Sequence, residues 1–173
     1  MTNKHLTFAI FGNSFQPRKS QSLMRVLDFR RSKGASIIFD HTFYDFLTAE
    51  QNQELGNVGT FDGDDFNADY VISMGGDGTF LKAAVRVGIK SIPLIGINMG
   101  RLGFLADVLP GEVESALQAV LEGNYNIEEH TAIQISTSGG DFDGCHYALN
   151  DIAVLKRDIA SMIGIHTSID GSF

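Results

Sequence analysis

Gly75-Gly76-Asp77-Gly78-Thr79 is the segment whose residue types and order could do chemistry. It follows the apolar run Tyr70-Val71-Ile72-Ser73-Met74 and opens an amphipathic stretch over residues 80–87. Strand, glycine turn and helix in that order present backbone N–H groups and a helix N-terminus to an anion. Each glycine is free to take positive φ or to let a phosphate approach the main chain. Asp77 stands where a plain phosphate cradle would carry only glycine or a cation. A carboxylate beside a phosphate costs Coulomb energy unless a metal ion or a chemical task offsets it. Asp77 therefore reads as a catalytic or metal-linked residue. Thr79 is placed to cap the following helix. Lys82, in the first helical turn, opposes the helix dipole, which a phosphate or Asp77 nearby would offset. The competing reading is a lysine with its head in water.

Two further segments carry polar residues in unusual settings. Gly96-Ile97-Asn98-Met99-Gly100-Arg101-Leu102-Gly103-Phe104-Leu105 sets glycines and an asparagine just after an apolar strand. It falls short of a dinucleotide-binding fingerprint, because Asn98 replaces the first glycine and the residues after it read as apolar loop or strand, not helix. Its plain reading is a buried turn supporting the sheet edge. In Ala148-Leu149-Asn150-Asp151-Ile152, adjacent polar residues interrupt an apolar strand. Neighbours on a strand point to opposite faces, so one of the pair would need buried partners unless the strand ends or bulges there. Asp151 could then accept two hydrogen bonds from a ribose diol, while Asn150 donates and accepts. A strand-end Asn-Asp turn is the equal alternative. Ser161, in a later β-like run, could also reach a ligand.

The elements that must position these residues alternate. Residues 6–12, 35–39, 71–74 and 92–98 are apolar, β-rich runs. Residues 20–32, 43–55 and 110–121 have helical spacing, the last with Pro110 near its start, Glu112 and Glu114 in the first turn and Gly123 after its end. Strands alternating with helices predict a Rossmann-like parallel sheet covered on both faces. After Gly123 the pattern changes. Residues 127–138, 147–156 and 162–169 are all β-like, with a turn at Ser138-Gly139-Gly140-Asp141. The fold class expected is α/β: a parallel-sheet domain over residues 1–123, then the first strands of an incomplete antiparallel β domain over residues 124–173. Such a remnant leaves strand edges open, so the chain is expected to be truncated or to need a partner.

Bulk properties exclude several classes. Hydrophobic residues make up 43% of the 173, enough for a packed core, and no run reaches the length of a membrane span. A formal net charge of −8 argues against a nucleic-acid binder. A phosphorylated ligand would be held by local N–H dipoles, a few cations and Mg²⁺, not by the overall field. The acidic group Asp62, Asp64, Asp65 and Asp69 lacks calcium-loop spacing and reads as a solvated loop. Cys145 stands alone, which excludes an internal disulfide, and no zinc spacing is present. The start of the chain has no secretory pattern, so a cytoplasmic location is expected. His5, His41, His146 and His166 read as ordinary surface or strand positions.

Taken together, the glycine turn, the segment Gly96 to Leu105 and Asn150-Asp151 resemble the NAD kinases in order and spacing over nearly the whole chain. The first motif alone is shared with lipid kinases of the diacylglycerol and sphingosine type; the second and third single out NAD kinase. The resemblance implies an N-terminal α/β domain, a larger C-terminal β domain and an active site in the cleft between them. It implies that Asp77 accepts the proton of the 2′-hydroxyl of the adenosine ribose of NAD. Asp77 and Gly78 would contact the dinucleotide and Asn150 and Asp151 would hold it, with Lys82 and Ser161 as further nucleotide-binding candidates and no metal-ligating side chain assigned. ATP with a divalent metal would donate the phosphoryl group, and homo-oligomers with no nucleic-acid or membrane partner are implied. The chain departs from the family pattern in three places. Asp151 stands where glutamate is common, and Glu129-His130 where Glu-Arg is frequent. The family's Thr-Gly-Ser-Thr segment is absent. A lipid kinase with the same turn and a non-catalytic nucleotide-binding module are the competing expectations.

Overall fold

A computed structural model describes residues 5–13, 20–50, 52–100, 103–139, 146–149, 151–155 and 162–172. Strands β1 (Thr7–Gly12), β2 (Ser36–Asp40), β3 (Gly59–Phe61), β4 (Tyr70–Gly75) and β5 (Leu94–Asn98) form one sheet in the order β3-β2-β1-β4-β5. Every pairing in it is parallel. β1 and β4 are almost wholly buried, which is why they read as unbroken apolar runs. The chain leaves β1 outward to β2 and β3, then returns to the other side of β1 as β4. That reversal opens a crevice at the carboxyl ends of the strands, the usual ligand site of such sheets. The glycine turn leaves β4 at that end, where Met74 pairs with Gly12 and Gly75 with Asn98.

Helices cover both faces. α1 (Gln21–Lys33) opens with the Ser20 hydroxyl accepting the Leu23 N–H at 3.2 Å and closes at Gly34 with φ 72°. α4 (Val113–Glu122) closes at Gly123 with φ 70°. Leu23, Val26 and Leu27 of α1 and Val113, Leu117 and Val120 of α4 pack over Ile72 and Met74. On the opposite face Ala83 and Val87 of α3 (Asp77–Val87) meet Ala9, Phe11 and Val71 together with Phe61 and Phe66.

The element limits differ from the sequence expectations in instructive ways. The helix expected over residues 43–55 is α2 (His41–Asp45), started by the Asp40 side chain, followed by a π-helical turn at Phe46–Glu50. Irregular chain then leads to β3, an edge strand too short and polar to announce itself. Pro110 and Gly111 lie in the turn ahead of α4, not inside it. The acidic loop is more than solvated chain. Arg86 of α3 pairs with Asp64 at 2.9 Å and with Asp40 at 2.5 Å, and its guanidinium lies 5.0 Å above the Phe11 ring. Asp62 meets His41 at 3.0 Å, and Asp69 accepts the Thr7 N–H at 2.9 Å. Three of the four carboxylates fasten the loop to its surroundings.

Beyond Gly123, β6 (Ala132–Gln134) and β7 (Tyr147–Leu149) form an antiparallel pair, and β7 packs against α3. The other β-like runs give little regular structure: within residues 162–172 there is only an isolated bridge between Ile169 and Ser172. Their apolar side chains, Ile152, Val154, Leu155, Ile163 and Ile165 among them, are exposed. A short strand pair that stays largely exposed has little to stabilise longer pairing. Among the described residues no helix is long and apolar enough to cross a membrane.

Candidate active site

α3 begins at Asp77 itself, so the last three residues of the glycine turn form its first turn. Gly76 is the N-cap at φ −108°, and no side chain caps this end. Thr79 does not act as the cap; it is buried, packed so tightly under β4 that a Cβ on Gly75 would fall 2.2 Å from its Oγ1. Gly75, Gly76 and Gly78 all avoid positive φ. Their uses differ: Gly75 makes room for Thr79, whereas Gly76 and Gly78 are exposed with nothing within 4 Å of an added Cβ. The start of the helix, with N–H groups outside the helical ladder, is therefore open to a ligand.

The segment after β5 folds back along it. Asn98 donates its backbone N–H to the Val108 carbonyl at 2.8 Å, and the Val108 N–H reaches the Gly96 carbonyl at 3.0 Å. The Asn98 side chain, 1% exposed, donates to the Ala106 carbonyl at 3.1 Å and accepts the Gly100 N–H at 2.8 Å. Among the described residues 103–109 there is no helix, in agreement with the reading that this is not a dinucleotide fingerprint. The strap so formed closes on Asp77. Oδ2 of Asp77 accepts the Phe104 N–H at 2.9 Å, and Oδ1 accepts those of Leu105 at 3.0 Å and Ala106 at 3.1 Å. A Cβ on Gly103 would sit 2.2 Å from Oδ1, and one on Gly96 would sit 2.6 Å from the Ala106 Cα. The N–H of Phe104, then those of Leu105 and Ala106, hold the Asp77 carboxyl below its ordinary range, against a smaller opposing effect of desolvation. Phe104 itself projects its ring into solvent, 99% exposed.

An ionised carboxylate at a helix start, clasped by a glycine-bearing strap at the switch point of a parallel sheet, coincides with a family match. Residues 18–125 match the ATP-NAD kinase N-terminal domain. The chain belongs to the NAD kinase family. It is 46% identical over 167 residues to the NAD kinase of Bacteroides fragilis, covering 96% of this chain and 58% of that protein. To the NAD kinase of Cytophaga hutchinsonii it is 34% identical over 170 residues, covering 97% and 58% respectively. The chain thus spans 58% of the length of these curated relatives. A crystal structure of yeast NADH kinase complexed with NADH shares the fold, with a TM-score of 0.62 at 15% identity over 86% of this chain and 47% of the yeast chain.

In this NAD kinase-family chain two of the other candidates, Gly78 and Lys82, lie on α3. Gly78 is exposed in its first turn, beside Asp77. Lys82 is exposed too, but lies about 140° around the helix from Asp77 and so is not on its face. Asp151 is exposed, donates its N–H to the Leu149 carbonyl at 3.1 Å, and closely follows the β7 strand that packs on α3. Asn150 and Ser161 lie outside the described residues. Sequence reasoning missed the parts that touch Asp77 most closely, the backbone N–H groups of Phe104, Leu105 and Ala106 and the bare Cα of Gly103. The glycine spacing after Asn98 was the available signal, since a glycine there marks a close approach.

Proposed function

We propose that this chain is the N-terminal part of an NAD kinase that moves the terminal phosphoryl group of ATP to the 2′-hydroxyl of the adenosine ribose of NAD, giving NADP. The observation that carries the proposal is Asp77, ionised and aimed by backbone donors at the start of α3. Phosphoryl transfer passes through a loose transition state, so positioning and charge neutralisation supply most of the catalysis. A carboxylate held below its ordinary pKa is a weak base, yet it is always ready to accept a hydrogen bond from the attacking hydroxyl. Proton transfer late in the reaction then suffices, and a general base of this kind contributes roughly 10²–10⁴-fold.

Gly76 and Gly78 leave room for the nucleotide at the helix start, and Asp151 with Asn150 would hold the ribose from the neighbouring β segment. Lys82, off the Asp77 face, and Ser161 stay as outer candidates for nucleotide contact. Among the described residues no group of three or more His, Cys, Asp or Glu side chains could hold a metal ion. The Mg²⁺ of this reading is the ion that accompanies the phosphates of ATP. We place the boundary between the α/β domain and the β domain at residues 123 and 124, where the buried core gives way to exposed strands. A cytoplasmic, homo-oligomeric enzyme completes the reading.

Asp77→Asn in the full-length protein is expected to lower NADP formation by about 10²–10⁴-fold while NAD still binds. Near-normal turnover of that variant would refute the role of Asp77. Phosphorylation of diacylglycerol but not of NAD would move the protein to the lipid kinases.

A further inference from the structure

An ionised carboxylate offers about four lone-pair positions. On Asp77, Oδ1 uses two for Leu105 and Ala106, and Oδ2 uses one for Phe104. One acceptor position, on Oδ2, is left. The strap that takes the other three is anchored independently at its far side, where the Asn98 side chain ties Gly100 to Ala106 and Val108 bonds both ways with β5. Gly103 lets it close on the carboxylate: a Cβ there would stand 2.2 Å from Oδ1, 2.6 Å from Cγ and 2.8 Å from Oδ2.

We propose that Asp77 serves two partners at once, holding residues 103–106 as a fixed strap while accepting one ligand hydroxyl at the remaining Oδ2 position, with Gly103 as the positioning residue that makes this possible. The inference rests on the function proposed above for the identity of the hydroxyl. It adds that Asp77 reads a single hydroxyl and not a vicinal diol, since a two-pronged grip on a diol would need both oxygens open. It also adds that the strap is part of the free protein's site and is not expelled by the ligand. The reaction's proton then meets a carboxylate whose other positions are satisfied, so the carboxylate cannot rotate away from the hydroxyl without breaking the strap.

Amide hydrogen exchange across residues 103–106 of the full-length protein, with and without saturating NAD, tests this. The amides of Phe104, Leu105 and Ala106 should be protected in the free protein and stay protected with NAD bound. Asp77→Asn replaces one acceptor oxygen by a donor and should speed their exchange by about tenfold or more, with β4 and β5 unchanged. Gly103→Ala should do the same with the carboxylate still present, lower kcat more than it alters KM for ATP, and move the acidic limb of the pH–rate profile upward. Faster exchange of these amides on adding NAD would overturn the proposal, because the carboxylate would then be leaving the strap for the ligand. Unchanged exchange in Asp77→Asn would overturn it as well. The NAD comparison needs no variant and so stands even if both substitutions unfold the protein. Failure of NAD to bind at all would sink the proposed function and the ligand half of this inference, whereas the Asp77→Asn comparison would still decide the strap.

Discussion

Residues 5–123 and 124–172 are built from similar apolar side chains with opposite results. Ile10 and Ile72 are fully buried, while Ile163 is 52% and Ile169 74% exposed. Among the described residues the buried core ends at Val120. The difference lies in layers. In the first region α1, α3 and α4 close both faces of the sheet; in the second, α3 packs against β7, while β6 stays exposed and β7 only half-buried. Apolar composition supplies the driving force, but only a second surface turns it into burial. The proposed nucleotide site straddles the divide, with Asp77 on the packed side and Asp151 on the exposed one.

The sharpest way to break this comparison is to cut side chains in each region and follow urea or thermal unfolding. Phe39→Ala removes a ring that is fully buried against Phe43 and Tyr44, and should cost about 3–5 kcal/mol. That is a large part of the roughly 5–15 kcal/mol that holds a domain together. Ile163→Ala should change stability by less than about 0.5 kcal/mol. A loss above about 1 kcal/mol at Ile163 would mean that the second region is packed in solution, and the contrast would fall.

A smaller effect separates the glycines. Gly96→Ala forces a methyl group against the Ala106 backbone and should cost about 1–3 kcal/mol. Gly164 has nothing within 4 Å of an added Cβ and does not have positive φ. Gly164→Ala should be neutral or stabilising by about 0.4–1 kcal/mol, acting through the unfolded chain. Equal costs at the two sites would show that the strap gives way easily, and would weaken the rigid part of the site.

Legibility in the sequence respects the same divide. β1 and β4 were legible because burial on both faces leaves a continuous apolar run, and α1 because Leu23, Val26 and Leu27, all buried, recur at helical spacing. β3 was not legible: Gly59-Thr60-Phe61 is an edge strand whose place depends on Phe61 and Phe66 meeting Phe11 across the sheet face. Asp77 stood out because a charge among glycines is costly without a task. Its partners did not, because a backbone N–H is carried by nearly every residue and leaves no mark in composition. The acidic loop failed to reveal its role for a related reason. Its pairing with Arg86 and His41 joins positions far apart in the chain.

The smallest expected effect concerns pH, and it distinguishes two latches within the packed region. His41 lies 3.0 Å from Asp62 and 3.5 Å from Asp45. The hydrogen bond from His41 to Asp62, then the charges of Asp45 and Asp62, raise its pKa above 6.5. A raised folded pKa gives a contribution that is complete below pH 6.5 and fades as pH rises through the folded value. Asp77 is the opposite case. Its pKa is lowered from 3.8, so its contribution is complete above pH 3.8 and is lost as pH falls through the lower folded value. Both groups face solvent, so each effect on stability is small. Asp62→Asn should therefore lower Tm slightly near pH 6 and not near pH 9, while leaving exchange at residues 103–106 untouched. Acid should loosen those strap amides as pH falls through the lowered Asp77 value. If raising pH through the His41 value also released the strap amides, the strap and the acidic loop would be one cooperative unit, and Asp77 would be answering to the fold of the whole region and not to its three N–H donors.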